Sequence, residues 1–231
     1  MAIPNKQIGW SQENNLLWEI SKELDKILCL NKPCITTTST TTVFCNITIG
    51  EQSWACRNLN VTTYRNGDVI PEVTDPTEWY NLTTGAWCYY DNDPANEAVY
   101  GKLYNWYAVN DVRGLAPIGF HIPTDVEFST LATFLGGELT AGGEMKETGT
   151  THWSSPNTDA TNSSNFTGLP GGKRNLIGEF SDITNYGTFW SSTAGFGVYA
   201  KTAQLYFNTA EALLRDDADK HIGFSVRCII D

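Results

Sequence analysis

The chain has 231 residues, of which 15 are lysine or arginine and 26 are aspartate or glutamate, so its formal net charge is −11. This acidic balance argues against nucleic acid and anionic membrane surfaces as partners, because both require a basic face. Eight tryptophans, ten tyrosines and ten phenylalanines provide ample core material, which excludes wholesale disorder. No apolar run approaches the roughly 18 residues of a membrane-spanning helix, and the N-terminus lacks the pattern of a secretory signal, so we expect neither.

Residues 1–34 carry the pattern of an amphipathic helix. Leu17, Ile20, Leu24 and Ile27 recur at heptad spacing, and leucine at one seam position with isoleucine at the other favours three or four strands. We predict that this helix forms a trimer or docks on another protein. Its expected contact face consists of Trp10, Leu17, Trp18, Ile20, Leu24 and Ile27. The alternative is a helix that packs back on its own domain.

Residues 35–43 form a threonine-rich run that is not helix-forming and cannot bury a core. We interpret it as an extended linker. Because it separates the helix from residues 44–231, it favours docking or trimerisation over packing back.

Residues 44–231 are predicted to form an α+β domain with long ordered loops. Alternation around Gly50 predicts a hairpin over 47–54, and Asn66-Gly67 predicts a type I′ turn over 65–68. Tyrosine and leucine spacing predicts a helix over 97–109, and a capping box at Thr124 and Glu127 predicts another through Leu135. Strands are predicted over 188–193, 199–207 and 222–230, so that strands from both ends of the domain meet in one sheet.

The six cysteines, at positions 29, 34, 45, 56, 88 and 228, show no Cys-x-x-Cys spacing. Without a secretory signal we expect a reducing compartment and therefore free, mostly buried thiols. Cys88 and Cys228 both lie in strongly apolar segments and are the pair whose disulfide state matters most.

Five segments resemble the Fibrobacter succinogenes major paralogous domain family and span nearly all of residues 47–231 in the expected order. They are NLNVTTYRNGD (58–68), YGKLYNWYA (100–108), GLAPIGFHIPT (114–124), TFWSST (188–193) and GFSVRC (223–228). The resemblance implies a relative of the C-type-lectin-like fold that serves as a compact binding or display module, usually on secreted or surface proteins of gut and rumen bacteria.

Residues 6–25 are similar to short leader segments on structural proteins of crAss-like tailed phages. This second resemblance implies a structural virion protein, a head or tail fibre or capsid decoration, that docks to other virion proteins and displays a lectin-like domain for attachment to host surface glycans. The virion surface is then the expected location. The alternative is a bacterial extracellular or cell-surface adhesin or carbohydrate-binding module.

We expect no enzymatic activity and no cofactor. His121, His152 and His221 are scattered, and no phosphate-loop, dinucleotide or nucleophile-elbow motif occurs. The fold kinship includes formylglycine-generating enzymes, which use a reactive cysteine pair late in the chain, whereas here Cys228 has no late partner.

Two segments carry oxygen ligands suited to calcium, 90–94 and 157–159. Neither matches the sugar-binding calcium patterns of lectins, and Asx-rich turns explain both, so we expect no metal site and keep calcium as the alternative. Trp153, Tyr186 and Trp190 are the candidates for stacking on sugar rings, with core packing as the competing interpretation.

Overall fold

The computed structural model describes residues 45–231, and residues 48–231 form one compact unit. The predicted helix over 1–34 and linker over 35–43 lie outside the described residues, so these boundaries stay predictions. The described domain mixes helices and sheets, which confirms the α+β class.

The β-strands of the described domain are short in the first half of the domain and longer near its end. They are β1 (Asn46–Ile49), β2 (Gln52–Ala55), β3 (Trp87–Cys88), β4 (Leu103–Tyr104), β5 (Phe120–His121), β6 (Gly171–Arg174), β7 (Phe180–Ile183), β8 (Tyr186–Ala194), β9 (Tyr199–Tyr206), β10 (Ala212–Asp219) and β11 (Ile229–Ile230). The α-helices are α1 (Pro76–Tyr80), α2 (Glu97–Tyr100), α3 (Trp106–Val109), α4 (Asp125–Phe134) and α5 (Glu138–Met145), and two 3₁₀ turns cover Tyr90–Asn92 and Pro94–Asn96. None of these described helices is long and apolar enough to cross a membrane.

The strands form a four-stranded sheet in the order β1-β2-β11-β5 and a three-stranded sheet in the order β10-β9-β8, with two smaller pairs, β3-β4 and β6-β7. Ile229 in β11 lies opposite Trp54 in β2 and His121 in β5, both antiparallel. Strands from the two ends of the domain therefore meet in one sheet, as predicted.

The predicted capping box begins α4. The Thr124 side chain accepts a hydrogen bond from the Glu127 amide at 3.2 Å, and the Glu127 carboxylate accepts one from the Thr124 amide at 2.7 Å. Two amides that would lack partners at the helix start are thereby satisfied. The hairpin over 47–54 is also confirmed, as β1 and β2 with Gly50 at φ +61 in its turn.

The single helix predicted over 97–109 is wrong. Two short helices, α2 and α3, are separated by β4, which pairs with β3. Gly101 ends α2 at φ +72, and a Cβ there would lie 2.9 Å from the Leu59 carbonyl oxygen. The amide of Tyr104 instead donates to the Phe224 carbonyl at 2.9 Å, so tertiary pairing outweighs the helical spacing.

The type I′ turn over 65–68 is also wrong. A type I′ turn needs positive φ at both central residues, whereas here Gly67 alone of the pair is left-handed, at φ +93. Tyr64 accepts from the Gly67 amide at 2.9 Å and donates its own amide to Asp68 at 2.8 Å, which makes a three-residue loop. The Asn66 side chain accepts from the Asp68 amide at 3.0 Å and holds this form.

The expectation of free thiols is wrong for two cysteines. Cys45 and Cys56, which directly precede β1 and follow β2, are both disulfide-bonded. Cys88 and Cys228 are free and buried, while Cys29 and Cys34 lie outside the described residues. Because structural disulfides persist in oxidising surroundings, this finding removes the argument for a reducing compartment.

His121 ties the start of α4 to the end of β11. Its Nε2 lies 2.7 Å from Glu127 Oε1 and its Nδ1 lies 2.9 Å from Asp231 Oδ1. Partial burial opposes protonation of the ring, but the hydrogen bonds to both carboxylates outweigh burial and raise the pKa of His121. The protonated ring is therefore held better by the folded chain than by the unfolded chain.

A raised histidine pKa sets the sign of a pH effect. Its contribution to stability is complete below the unfolded pKa of about 6.5 and is lost as the pH rises through the folded value. We expect the free energy of unfolding of His121→Gln to approach that of the unaltered chain as pH rises, from a gap of about 1 kcal/mol at most because all three groups are partly exposed. Urea unfolding at several pH values between 5.5 and 8.5 measures this gap. High salt should narrow the gap, and parallel pH profiles for the two proteins would contradict the assignment.

Candidate binding cleft

A cleft of about 220 Å³ opens between the β6-β7 pair and one face of the β8-β9 ladder. Its lining combines a charged pair, two tyrosines and uncharged polar groups. The lining residues are Gly172, Lys173, Asp182, Tyr186, Thr188, Gln204, Tyr206 and Phe224.

One wall is the β6-β7 pair. Lys173 Nζ lies 2.8 Å from Asp182 Oδ2, and both side chains are partly exposed. The strands approach so closely that a Cβ on Gly172, at φ +63, would lie 2.6 Å from the Ile183 amide nitrogen. Asp182 itself has φ +68, a conformation that is uncommon for a residue with a side chain. Aspartate tolerates this conformation better than most residues do, so the backbone presents the carboxylate at a small cost in strain.

The opposite wall follows from strand pairing. Tyr186 lies opposite Tyr206 and Thr188 opposite Gln204, so two neighbouring cross-strand pairs share one face of the sheet. The two tyrosine rings meet edge to face with centroids 4.9 Å apart. Tyr206 Oη donates to Gln204 Oε1 at 2.7 Å, which fixes the orientation of both side chains.

Trp190 is the next residue of β8 on the same face of the sheet. It is two residues beyond Thr188 in β8 and is completely buried, with its ring against Phe224 at 4.9 Å and its Nε1 donating to the Tyr104 carbonyl at 2.8 Å. Phe224 also lines the cleft. This face of the sheet therefore runs from the core at Trp190 to the open cleft at Tyr186.

Of the three residues predicted to stack on sugars, the structure places one at the cleft, Tyr186. Trp153, like Trp190, is buried, and its Nε1 donates to the Gly168 carbonyl at 3.0 Å. Both tryptophans occupy the core positions that the competing interpretation gave them, and neither presents an open ring face. Sugar binding by Tyr186 itself stays a prediction.

Sequence reasoning missed Lys173, Asp182, Gln204 and Tyr206. A signal existed for the last two, because the predicted strand over 199–207 alternates and places them on one face. No local pattern indicated Lys173 and Asp182 as site residues, since β6 and β7 were not predicted at all.

The cleft supplies binding chemistry. An ammonium, a carboxylate and an amide can exchange hydrogen bonds with hydroxyl groups, and a tyrosine ring can pack against the apolar face of a sugar.

Outside the cleft, Tyr107, His221 and Asp219 form a hydrogen-bonded chain. Tyr107 Oη lies 3.3 Å from His221 Nε2, and Asp219 Oδ1 lies 2.7 Å from His221 Nδ1. Burial and the charge of Asp219 raise the pKa of Tyr107, so the phenol is held in its protonated, poorly nucleophilic form.

The two free thiols are similarly inert. Burial raises the pKa of Cys88 and of Cys228 to about 12, which keeps both as thiols at neutral pH. The absence of enzymatic activity remains a prediction.

In the first segment proposed for calcium, Asp91 and Asn92 have positive φ and the Asp93 side chain accepts from the Ala95 amide at 2.9 Å. In the second, Asn157 donates to the carbonyls of Glu147 and Gly149, at 2.8 and 2.6 Å. Within residues 45–231 no three His, Cys, Asp or Glu side chains are grouped as a metal site would require. The absence of a metal site, with calcium as the alternative, remains a prediction.

The side chain of Lys146 holds the loop over 157–159 in place. The buried Lys146 Nζ donates to the carbonyls of Thr158, Tyr206 and Thr209 at 2.8–2.9 Å. Burial lowers the pKa of Lys146 to about 8, which leaves it mostly protonated at pH 7. One ammonium thus joins this loop to the end of β9, next to Tyr206 of the cleft.

The predicted docking residues Trp10, Leu17, Trp18, Ile20, Leu24 and Ile27 lie outside the described part of the chain. Nothing in the structure tests the trimer or the docking surface.

The described residues form an α+β domain whose long loops are fixed by buried polar contacts. The model of the Fibrobacter succinogenes major domain matches residues 47–229. The chain therefore belongs to the Fibrobacter succinogenes major domain family, which confirms the family resemblance seen in the sequence. No curated protein and no solved structure matches the chain.

Replacement of Lys146 tests its role in the loop. Lys146→Met keeps the aliphatic stem but removes the donor from three carbonyl oxygens, so we expect a loss of about 3 kcal/mol in the free energy of unfolding. Urea unfolding at pH 7 measures it. Lys201→Met is the matched control, because Lys201 forms a partly exposed pair with Asp217 at 2.9 Å and should cost less than about 1 kcal/mol. Equal effects of the two changes would contradict this role.

Proposed function

We propose that this protein is a non-enzymatic recognition module whose cleft binds glycans of a host cell surface. The observation that carries the proposal is the lining of the cleft, where Tyr186 and Tyr206 stand opposite the Lys173–Asp182 pair. Aromatic faces combined with hydrogen-bonding side chains of both polarities suit a ligand rich in hydroxyl groups.

We further propose that the domain is a relative of the C-type-lectin-like fold. Two features support this kinship: strands from both ends of the domain meet in one sheet, and long loops pack into an ordered body. In such an arrangement the loops carry the binding site while the sheets hold them in place.

The proposed setting is the surface of a tailed-phage particle, where the protein acts as a head or tail fibre or capsid decoration. The similarity of residues 6–25 to phage leaders and the linker over 35–43 support this setting. The N-terminal segment would join other virion proteins and form a homo-trimer. Three copies would then strengthen weak binding at each cleft by raising the effective concentration.

The second candidate is a bacterial extracellular adhesin or carbohydrate-binding module. The disulfide-bonded Cys45 and Cys56 favour an extracellular location, because disulfides persist in oxidising surroundings. Both candidates use the same cleft and differ in what the N-terminal segment attaches to.

Binding at the cleft can be tested with an array of bacterial surface oligosaccharides and polysaccharides, followed by calorimetry on the glycans retained. We expect Tyr186→Ala and Asp182→Asn each to weaken binding about tenfold, which corresponds to about 1.4 kcal/mol. Tyr199→Ala is the matched control, since Tyr199 is an exposed tyrosine at the start of β9 and does not line the cleft. Glycan binding that is unchanged in Tyr186→Ala and Asp182→Asn, or no retention on the array, would refute the proposal.

The trimer is tested separately by light scattering on the full chain. We expect the mass of a trimer for the unaltered protein and of a monomer for Leu24→Asp, because a charge in the seam cannot be buried. Lys22→Asp, at a heptad position away from the seam, should remain trimeric. A monomeric unaltered chain would overturn the trimer and leave two roles for the helix, docking on another protein or packing on its own domain.

A further inference from the structure

Lys102 is a buried lysine whose amine is brought against a side-chain amide. Its side chain is 2% exposed, and its Nζ lies over the rings of Trp87 at 4.6 Å and Tyr89 at 4.9 Å. Beyond these two rings the amine contacts Oδ1 of Asn60, an exposed residue.

A carboxylate bridges the two groups. Glu97 Oε1 lies 2.9 Å from Lys102 Nζ and accepts a hydrogen bond from Asn60 Nδ2, also at 2.9 Å. The same oxygen therefore touches the nitrogen that could attack and the nitrogen that could leave. Hydrogen bonds from Lys102 and Asn60 lower the pKa of Glu97, so its carboxylate is ionised and carries no proton of its own.

The backbone holds the three groups in register. The amide of Lys102 donates to the Leu59 carbonyl at 3.4 Å, and the Asn58 side chain donates to the Tyr100 carbonyl at 2.9 Å. Gly101 permits this approach, because it has no Cβ to meet the Leu59 oxygen. Amine and amide therefore face each other at the high effective concentration of a fixed geometry.

We propose that Lys102 and Asn60 form an intramolecular isopeptide bond, with Glu97 as the catalytic proton carrier. Glu97 takes a proton from the Lys102 ammonium, and the freed amine attacks Cγ of Asn60. The new Nζ–Cγ bond forms, the Cγ–Nδ2 bond breaks, and the two protons that Lys102 gives up leave with Nδ2 as ammonium. Charge and atoms balance without an oxidant or any co-reactant.

The bond would close a covalent loop from residue 60 to residue 102. It joins the segment that follows β2 to the turn before β4, so these two segments could not separate when the domain unfolds locally. Such a link suits a domain exposed to proteases and to pulling through its N-terminal side, and it adds to the proposed function without depending on it.

The mass of the full chain tests the proposal directly. After reduction and unfolding, the purified protein should weigh about 17 Da less than its sequence, the mass of one ammonia. Trypsin should fail to cleave after Lys102, and residues 58–65 should be recovered joined to residues 66–113. A mass equal to that of the sequence, with residues 103–113 released, would overturn the proposal and leave a hydrogen-bonded ion pair.

Three variants assign the chemistry. Glu97→Gln removes the proton carrier and Lys102→Met removes the amine, so both should have their full sequence mass. Lys173→Met removes the lysine of the Lys173–Asp182 pair, which lies at the cleft away from Asn60, and should keep the loss of about 17 Da. The unaltered chain decides the question even if Lys102→Met fails to fold. Retention of the mass loss in Glu97→Gln would overturn the role of Glu97.

Discussion

Buried cations that bind backbone carbonyl groups are the contacts on which the rest of this structure depends. Long irregular segments leave carbonyl oxygens without strand or helix partners, and a buried oxygen without a donor is costly. Arg174 donates to the carbonyls of Val73, Thr74 and Gly178 while its guanidinium lies over the ring of Trp79 at 4.5 Å. Each such side chain satisfies several carbonyls at once, which a neutral side chain of similar size could not do.

The same principle operates at the buried Arg227. Arg227 donates to the carbonyls of Ala55 and Phe166, at 3.1 and 2.7 Å, and stacks over the Phe166 ring at 4.5 Å. It thereby joins the region before β11 to the end of β2 and to a loop. Arg174 is the last residue of β6, one position after Lys173 of the cleft. One wall of the cleft, the β6-β7 pair, is thus tied to the core through the buried guanidinium group of Arg174.

Sequence patterns predicted the elements that local interactions determine. The capping box at Thr124 and the hairpin around Gly50 need only neighbours in the chain. The helix over 97–109 failed because tertiary pairing of β4 competes with helical spacing, and no local pattern reports that competition. Of the candidate site, Tyr186 was found and the Lys173–Asp182 pair was not, because a short strand pair with a left-handed aspartate has no periodic signature. The disulfide-bonded cysteines were missed although they flank the predicted hairpin at equal distances from its turn.

Burial of cations also changes the charge that the surface presents. Lys102, Lys146, Arg174 and Arg227 are buried, so four of the 15 basic residues are removed from the surface of a chain that already carries a net charge of −11. The surface of residues 45–231 is therefore more acidic than their composition suggests, which disfavours long-range attraction of an anionic ligand. In the proposed function, recognition at the cleft would therefore act over short distances, through hydrogen bonds and ring contacts. Lys173 is the cation in the lining of that cleft, and its charge is already balanced by Asp182 at 2.8 Å, so the lining has no excess positive charge.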